Sequence, residues 1–354
     1  MLRLRLSVLA LGVCTMCLMG CGFSSSFYLS GEGKNRPILQ QMFAGLSSPR
    51  TNSKTRYLYM HEIVKVLRST GRRRRLNLLL TDYVRRHPKD PYDAYYLYVV
   101  AKDYEQAHAL PFADLYLSRI VSDYPDLSVN GISIDSESLT QLVKTTSNPY
   151  RRIAYYKELL SRFSKEIPTA PAYYNLAQSY QRVGEWGEEI QAYENFLRQP
   201  HENVPGVSNA RRSAAYLVNL YNYPNKDWAF SNLSDLVAAI RYAIDLRSVR
   251  LLSRYWAKVG FFARSWESSD QGADPLFLQD FDVFMTPSVY VAPHLDVDSN
   301  SQEAYLKTGG WSYRIPTWYF YFKKIDFPED PNLQGKWEWA GIYFGYKLFS
   351  DQSY

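Results

Sequence analysis

Five histidines, His61, His87, His108, His201 and His294, are scattered along the 354 residues. No two stand at the i, i+4 spacing that aims two ring nitrogens at one metal. The string Asp296-Val297-Asp298-Ser299-Asn300 copies the opening of an EF-hand loop. Its sixth position, however, is Ser301 where glycine makes the turn, and its twelfth is Lys307 where a bidentate glutamate is required. A polar loop with Asx-turns is the expectation there. Neighbouring carboxylates such as Glu188 and Glu189 have no acid/base partner in view, and Glu338, set between Trp337 and Trp339, lacks the second placed carboxylate of a glycosidase. The sequence contains no G-x-S-x-G elbow and no glycine-rich phosphate loop. These residues predict a protein that is not an enzyme and that needs no cofactor or metal.

The cysteines carry the one local chemistry that stands out. Cys14, Cys17 and Cys21 are the only three, and a body without thiols excludes disulfides, thiolate catalysis and Cys-ligated zinc. Arg3 and Arg5 form a basic n-region, and the uncharged stretch from Leu6 to Leu18 is long enough for the apolar core of a signal peptide. Extended to Phe23, the uncharged run reaches the lower edge of what crosses ~30 Å of hydrocarbon, so an uncleaved anchor is the alternative. The motif Leu18-Met19-Gly20-Cys21 resembles the lipobox of bacterial lipoproteins. That resemblance implies a signal peptide over 1–20 and acylation of Cys21, with palmitate-type chains anchoring the protein at ~0.8 kcal/mol per buried CH₂. Residues 21–37, loaded with Gly and Ser, read as a flexible tether.

These elements need a body to serve. With 46% hydrophobic and 21% charged residues and a mean hydropathy of −0.35, the chain belongs with soluble folded proteins, and its length suggests about two domains. The formal charge of +6 falls to +4 once Arg3 and Arg5 leave with the signal. Such a mild excess, in an exported chain, predicts no nucleic-acid partner. Arg72-Arg73-Arg74-Arg75 reads as a solvated helix start after Gly71; contact with phosphate or anionic lipid is its alternative role.

Helical periodicity dominates the middle. Tyr173, Leu176, Ala177 and Tyr180 recur at i, i+3, i+4, i+7, and after a turn at Gly184, Trp186, Ile190, Tyr193 and Leu197 mark one helix face at i, i+4, i+7, i+11. Amphipathic runs close at Pro88, Pro125, Pro168 and Pro200. Asp93–Lys102 and Phe112–Val121 form a further helix pair, Ser208–Asn222 and Leu233–Leu246 another, and Val249–Trp266 a final helix. The segment from Ala172 to Pro200 resembles the tetratricopeptide repeat (TPR), with Glu189 where that family places a small alanine. The resemblance implies a bacterial TPR lipoprotein: a helical-hairpin solenoid over 38–267 whose first helices line a concave groove. Carried onto this chain, the groove positions are Tyr174, Asn175, Gln178, Gln181 and Arg182, with Tyr96 in the matching place of the earlier hairpin. Asn and Gln suit an extended peptide backbone, and Arg182 a carboxylate.

After Ser268 the texture changes. Phe281–Ala292, Gly310–Asp326 and Lys336–Phe349 are aromatic and β-branched runs bounded by Pro, Gly and Asp, and read as strands. The expected fold is therefore mainly α, a TPR-like solenoid followed by a small aromatic-rich β module over 268–354. The expected function is a membrane-anchored periplasmic scaffold, on the cell membrane or outer membrane, that binds envelope proteins or peptides in assembly or transport. The alternative is a glycan- or cell-wall-binding lipoprotein that uses the aromatic module as its surface.

Overall fold

The computed structural model describes residues 25–200, 203–266 and 281–347; Cys21 and the expected signal segment 1–20 lie outside the described residues. The architecture is mainly α, followed by a small aromatic sheet. Two compact units divide the chain, Met1–Glu166 and Ile167–Tyr354.

The first unit is a run of helices: α1 (Ser25–Leu29), α2 (Arg36–Ser47), α3 (Ser53–Ser69), α4 (Arg73–Arg86), α5 (Asp93–Gln106), α6 (Leu110–Asp123), α7 (Ile134–Thr145) and α8 (Pro149–Arg162), each packed on the next. Caps fix where they begin. Asn52 Oδ1 accepts the Thr55 N–H at 2.9 Å, Ser133 Oγ accepts that of Ser136 at 3.0 Å, and Asn148 Oδ1 accepts that of Arg151 at 3.2 Å ahead of Pro149. Between α6 and α7, Asn130 and Gly131 adopt left-handed φ values of 54° and 79° and turn β1 (Ser128–Val129) onto β2 (Ile132–Ser133). The expected tether is folded where it is described: residues 25–29 are helical, Gly33–Asn35 form a 3₁₀ turn, and α2 starts at Arg36. Leu29 is buried, Tyr28 stacks on Phe43 at 5.8 Å, and the buried Glu32 carboxylate lies between Arg72 and Arg75. Phe27-Tyr28-Leu29 supplies an apolar face that the Gly and Ser around it conceal.

The second unit joins α9 (Thr169–Gln181), α10 (Trp186–Arg198), α11 (Ala210–Asn222), α12 (Leu233–Asp245) and α13 (Val249–Leu252) to β3 (Phe262–Ser265), β4 (Tyr290–Val291), β5 (Glu303–Gly309), β6 (Trp318–Lys324) and β7 (Trp337–Phe344). Gly184, at φ 75°, turns α9 into α10. The sheet order is β3-β7-β6-β5-β4, antiparallel except for the β3–β7 pair. The helix expected over Val249–Trp266 stops at Leu252, and Phe262–Ser265 instead pairs with Gly341–Phe344. Phe230 and Trp337 exchange two backbone hydrogen bonds, and the Ala257 N–H donates to the Trp339 carbonyl at 2.8 Å. One core joins Leu236, Ile240 and Ile244 of α12 to Leu306, Phe320, Phe322 and Trp339. The boundary expected at 267/268 thus runs through a single core, because the last strand needs a partner from before it.

A register shift at Tyr321/Phe322 leaves Ala340 as the extra residue of β7. The bulge reverses which parity faces inward, so Trp337 and Trp339 before it and Ile342 and Phe344 after it all join the same core. At the end of β5, Gly310 has a φ of +81°, and a Cβ there would stand 2.0 Å from the Ser288 carbonyl oxygen. Gly310→Ala should destabilise the second unit by about 2 kcal/mol in a denaturant titration, through strain plus backbone displacement; an unchanged midpoint would refute this packing.

Candidate functional site

Five of the six expected partner-contacting residues fall on α9, at i, i+1, i+4, i+7 and i+8, which is one stripe of a helix. Arg182, at its C-cap, is exposed, and Tyr174, Asn175, Gln178 and Gln181 are half-buried. Three of them have structural duties, Gln181 through a hydrogen bond to the buried Glu329. Tyr174 packs edge-on against Tyr193 and Phe196 of α10 at 5.7 and 5.4 Å, and the Gln178 amide donates to the Tyr193 hydroxyl. Asn175 and Arg182 keep their side chains free of ion pairs and side-chain hydrogen bonds among the described residues.

Tyr96 is a correction. Its side chain is fully buried, edge-on to Tyr83 at 5.2 Å, so it lines no open groove. The reason is the position of α5, which packs against α4, α6 and α7 and buries residues all around its circumference. Beneath it, Asp93 is buried with both carboxylate oxygens unpartnered, and burial together with the charge of Asp90 pushes its pKa up to about 7.

The sequence did not foretell what lies behind the α9 stripe. Glu189 of α10 is fully buried with neither carboxylate oxygen hydrogen-bonded, and burial, reinforced by Glu329, pushes its pKa up to about 8. Glu329, from the β6–β7 connection, is itself buried; burial raises its pKa, while the Gln181 amide that hydrogen-bonds it pulls the other way. Burial also raises the Tyr193 hydroxyl. The available signal was Glu189 standing where the repeat pattern wants alanine.

The sheet sorts its aromatics by face. Trp311, Trp318 and Trp339 are buried in the core. Outward, Tyr305, Tyr321 and Tyr343 join Phe262 and Trp266 in a half-buried belt, with Trp266 stacked on Tyr343 at 4.2 Å. Lys347 closes its edge: the ammonium lies 4.2 Å from the Tyr305 ring centroid and 2.7 Å from both Asp296 Oδ1 and Asp298 Oδ2. The calcium-like string therefore holds a lysine. Asn300 Oδ1 accepts the backbone N–H groups of Gln302 and Glu303, the Asx-turn behaviour its composition predicts. Glu338 is sealed in a buried network, accepting the Trp228 indole N–H at 3.2 Å and pairing with Lys323 at 3.3 Å. It has no route to a sugar there.

No protein-family model matches this sequence, and no curated protein matches it.

Proposed function

We propose that the chain is a lipid-anchored, non-catalytic scaffold of the bacterial envelope, facing the periplasm, that binds proteins or peptide segments in envelope assembly or transport. The observation that supports this most is the α9 stripe. Tyr174, Asn175, Gln178, Gln181 and Arg182 lie on one accessible face, and α10 holds it rigid through Tyr193 and Phe196. A rigid face with Asn, Gln and Arg can hydrogen-bond an extended backbone without first being ordered. Its likeness to tetratricopeptide lipoproteins supports a partner-binding role, and the lipobox-like Cys21 supports the anchor. The second reading, a glycan- or cell-wall-binding lipoprotein, is supported by the outward belt of Trp266, Tyr305, Tyr321 and Tyr343.

The test uses the two α9 residues without structural duties. Asn175→Ala with Arg182→Glu should leave the melting transition within about ±0.5 kcal/mol of wild type, yet abolish crosslinking in cells from a photoreactive residue at position 178. Cys21→Ser should release the protein from membranes or leave it unprocessed. Undiminished crosslinking alongside loss of peptidoglycan pull-down on Tyr305→Ala would favour the glycan reading.

A further inference from the structure

The four-arginine run is divided by the helix it begins. Arg72 and Arg75 face Glu32, at 3.5 and 4.0 Å, and donate to the carbonyls of Gly31 and Ser30. Arg73 and Arg74 are exposed and line a different side, a cleft of about 390 Å³ shared with Leu78, Tyr104 and Tyr116. Phe112 extends it through a ladder of rings, stacked on Tyr104 at 5.3 Å, with Tyr104 in turn stacked on Tyr116 at 5.8 Å. Leu78 in the cleft and Phe112 on the ring ladder are 47 and 55% exposed, so two large apolar side chains stand in solvent beside two guanidinium groups. Apolar surface of this kind with a charged rim marks an interaction site.

The charge balance says what kind of partner fits. Asp103, the one acid lining the cleft, pairs with Arg68 at 2.8 Å and feels the charge of Arg73 more weakly, while burial raises its pKa; Glu105 pairs with Lys102. Neither Arg73 nor Arg74 has a carboxylate within 4 Å among the described residues. We propose that this cleft is a docking groove for a short, acidic amphipathic segment of a partner protein. Its apolar side chains would lie on Tyr104, Phe112 and Leu78, and its carboxylates would engage Arg73 and Arg74. A phosphate or a lipid headgroup would use the arginines alone, whereas the ring ladder and exposed leucine call for a chain that carries both kinds of group. The proposal rests on the protein-scaffold reading but uses a surface separate from α9.

Selection of a random twelve-residue phage-displayed library on the full chain tests it. Enriched sequences should combine Asp or Glu with Leu, Phe or Trp. A fluorescent peptide of their consensus should lose at least ~10-fold in affinity on Arg73→Glu/Arg74→Glu and on Leu78→Ser/Phe112→Ser, with unchanged circular dichroism. Replacing the peptide's acids by Lys should restore binding to the Arg73→Glu/Arg74→Glu protein. The Asn175→Ala/Arg182→Glu protein should bind it at wild-type strength; loss on that variant alone would leave the scaffold reading standing and overturn this one. Absence of acidic consensus, or binding indifferent to both cleft variants, overturns it as well. So does an arginine requirement seen only with phosphatidylglycerol vesicles, which would make the cleft a lipid contact. Concentration-dependent dimerisation lost on Leu78→Ser/Phe112→Ser would assign it instead to a second copy of the chain.

Discussion

Glu189→Gln should stabilise the protein by about 4 kcal/mol at pH 8 and by almost nothing at pH 4.5. Folding moves the Glu189 carboxyl from 4.5 to about 8, so the native state holds a proton that the unfolded chain gives up. Its contribution is fully present below pH 4.5 and is lost as the pH rises through 8. Glutamine keeps the shape and cannot ionise beside Glu329. Urea midpoints measured from pH 4.5 to 8.5 should therefore fall more steeply for wild type than for the variant, which keeps the slope that the raised Asp93 carboxyl imposes. Parallel curves would mean that Glu189 is already solvated in the folded protein.

Trp339→Ala should cost about 4–5 kcal/mol, the upper end for deleting a buried aromatic. The indole is fully buried, lies 4.3 Å from the Phe320 ring and 5.3 Å from the Phe261 ring, and donates its N–H to the Gly341 carbonyl at 2.9 Å. Phe261 precedes β3 and Phe320 lies in β6, so the loss reaches sequence on both sides of position 268. Hydrogen exchange should consequently show α12 and the sheet losing protection together. Protection retained in α12 after the sheet has opened would restore an independent C-terminal module.

The sequence made most of the helical architecture legible, for a simple physical reason. Amphipathic helices advertise one period: α10 ends within a residue of the run Trp186–Leu197, and α9 encloses Tyr173–Tyr180, starting four residues earlier at Thr169. What escaped was structure set by distant pairing. β5 alternates Ala304, Leu306 and Thr308 inward with Glu303, Tyr305 and Lys307 outward, a clean period of two, but its two charged residues and the neighbouring polar string masked it. β3 is four residues long, and only its partner in β7 makes it a strand. Tyr96 failed for the opposite reason: a family position was transferred to a helix that packs on three neighbours, and it fell on a face that those neighbours bury. Nor does any local pattern announce that Glu189 meets Glu329, since the two are brought together only when the β6–β7 connection folds against α10.

The parallel pairing of β3 with β7 also sets an order of events. Folding speed falls as contacts bridge more sequence, because closing the intervening loop costs entropy before any contact repays it. β3 at Phe262–Ser265 waits for Gly341–Phe344, almost the last described residues, and among the described strands β7 alone joins it to β6. A chain emerging N-terminus first therefore completes its helical first unit while α12, α13 and β3 still lack the wall that covers Leu236, Ile240 and Phe261. Until the final strand arrives the second unit is a half-built sheet with open edges, and truncation by even a few residues of β7 converts a folded protein into one that exposes its most aromatic surface.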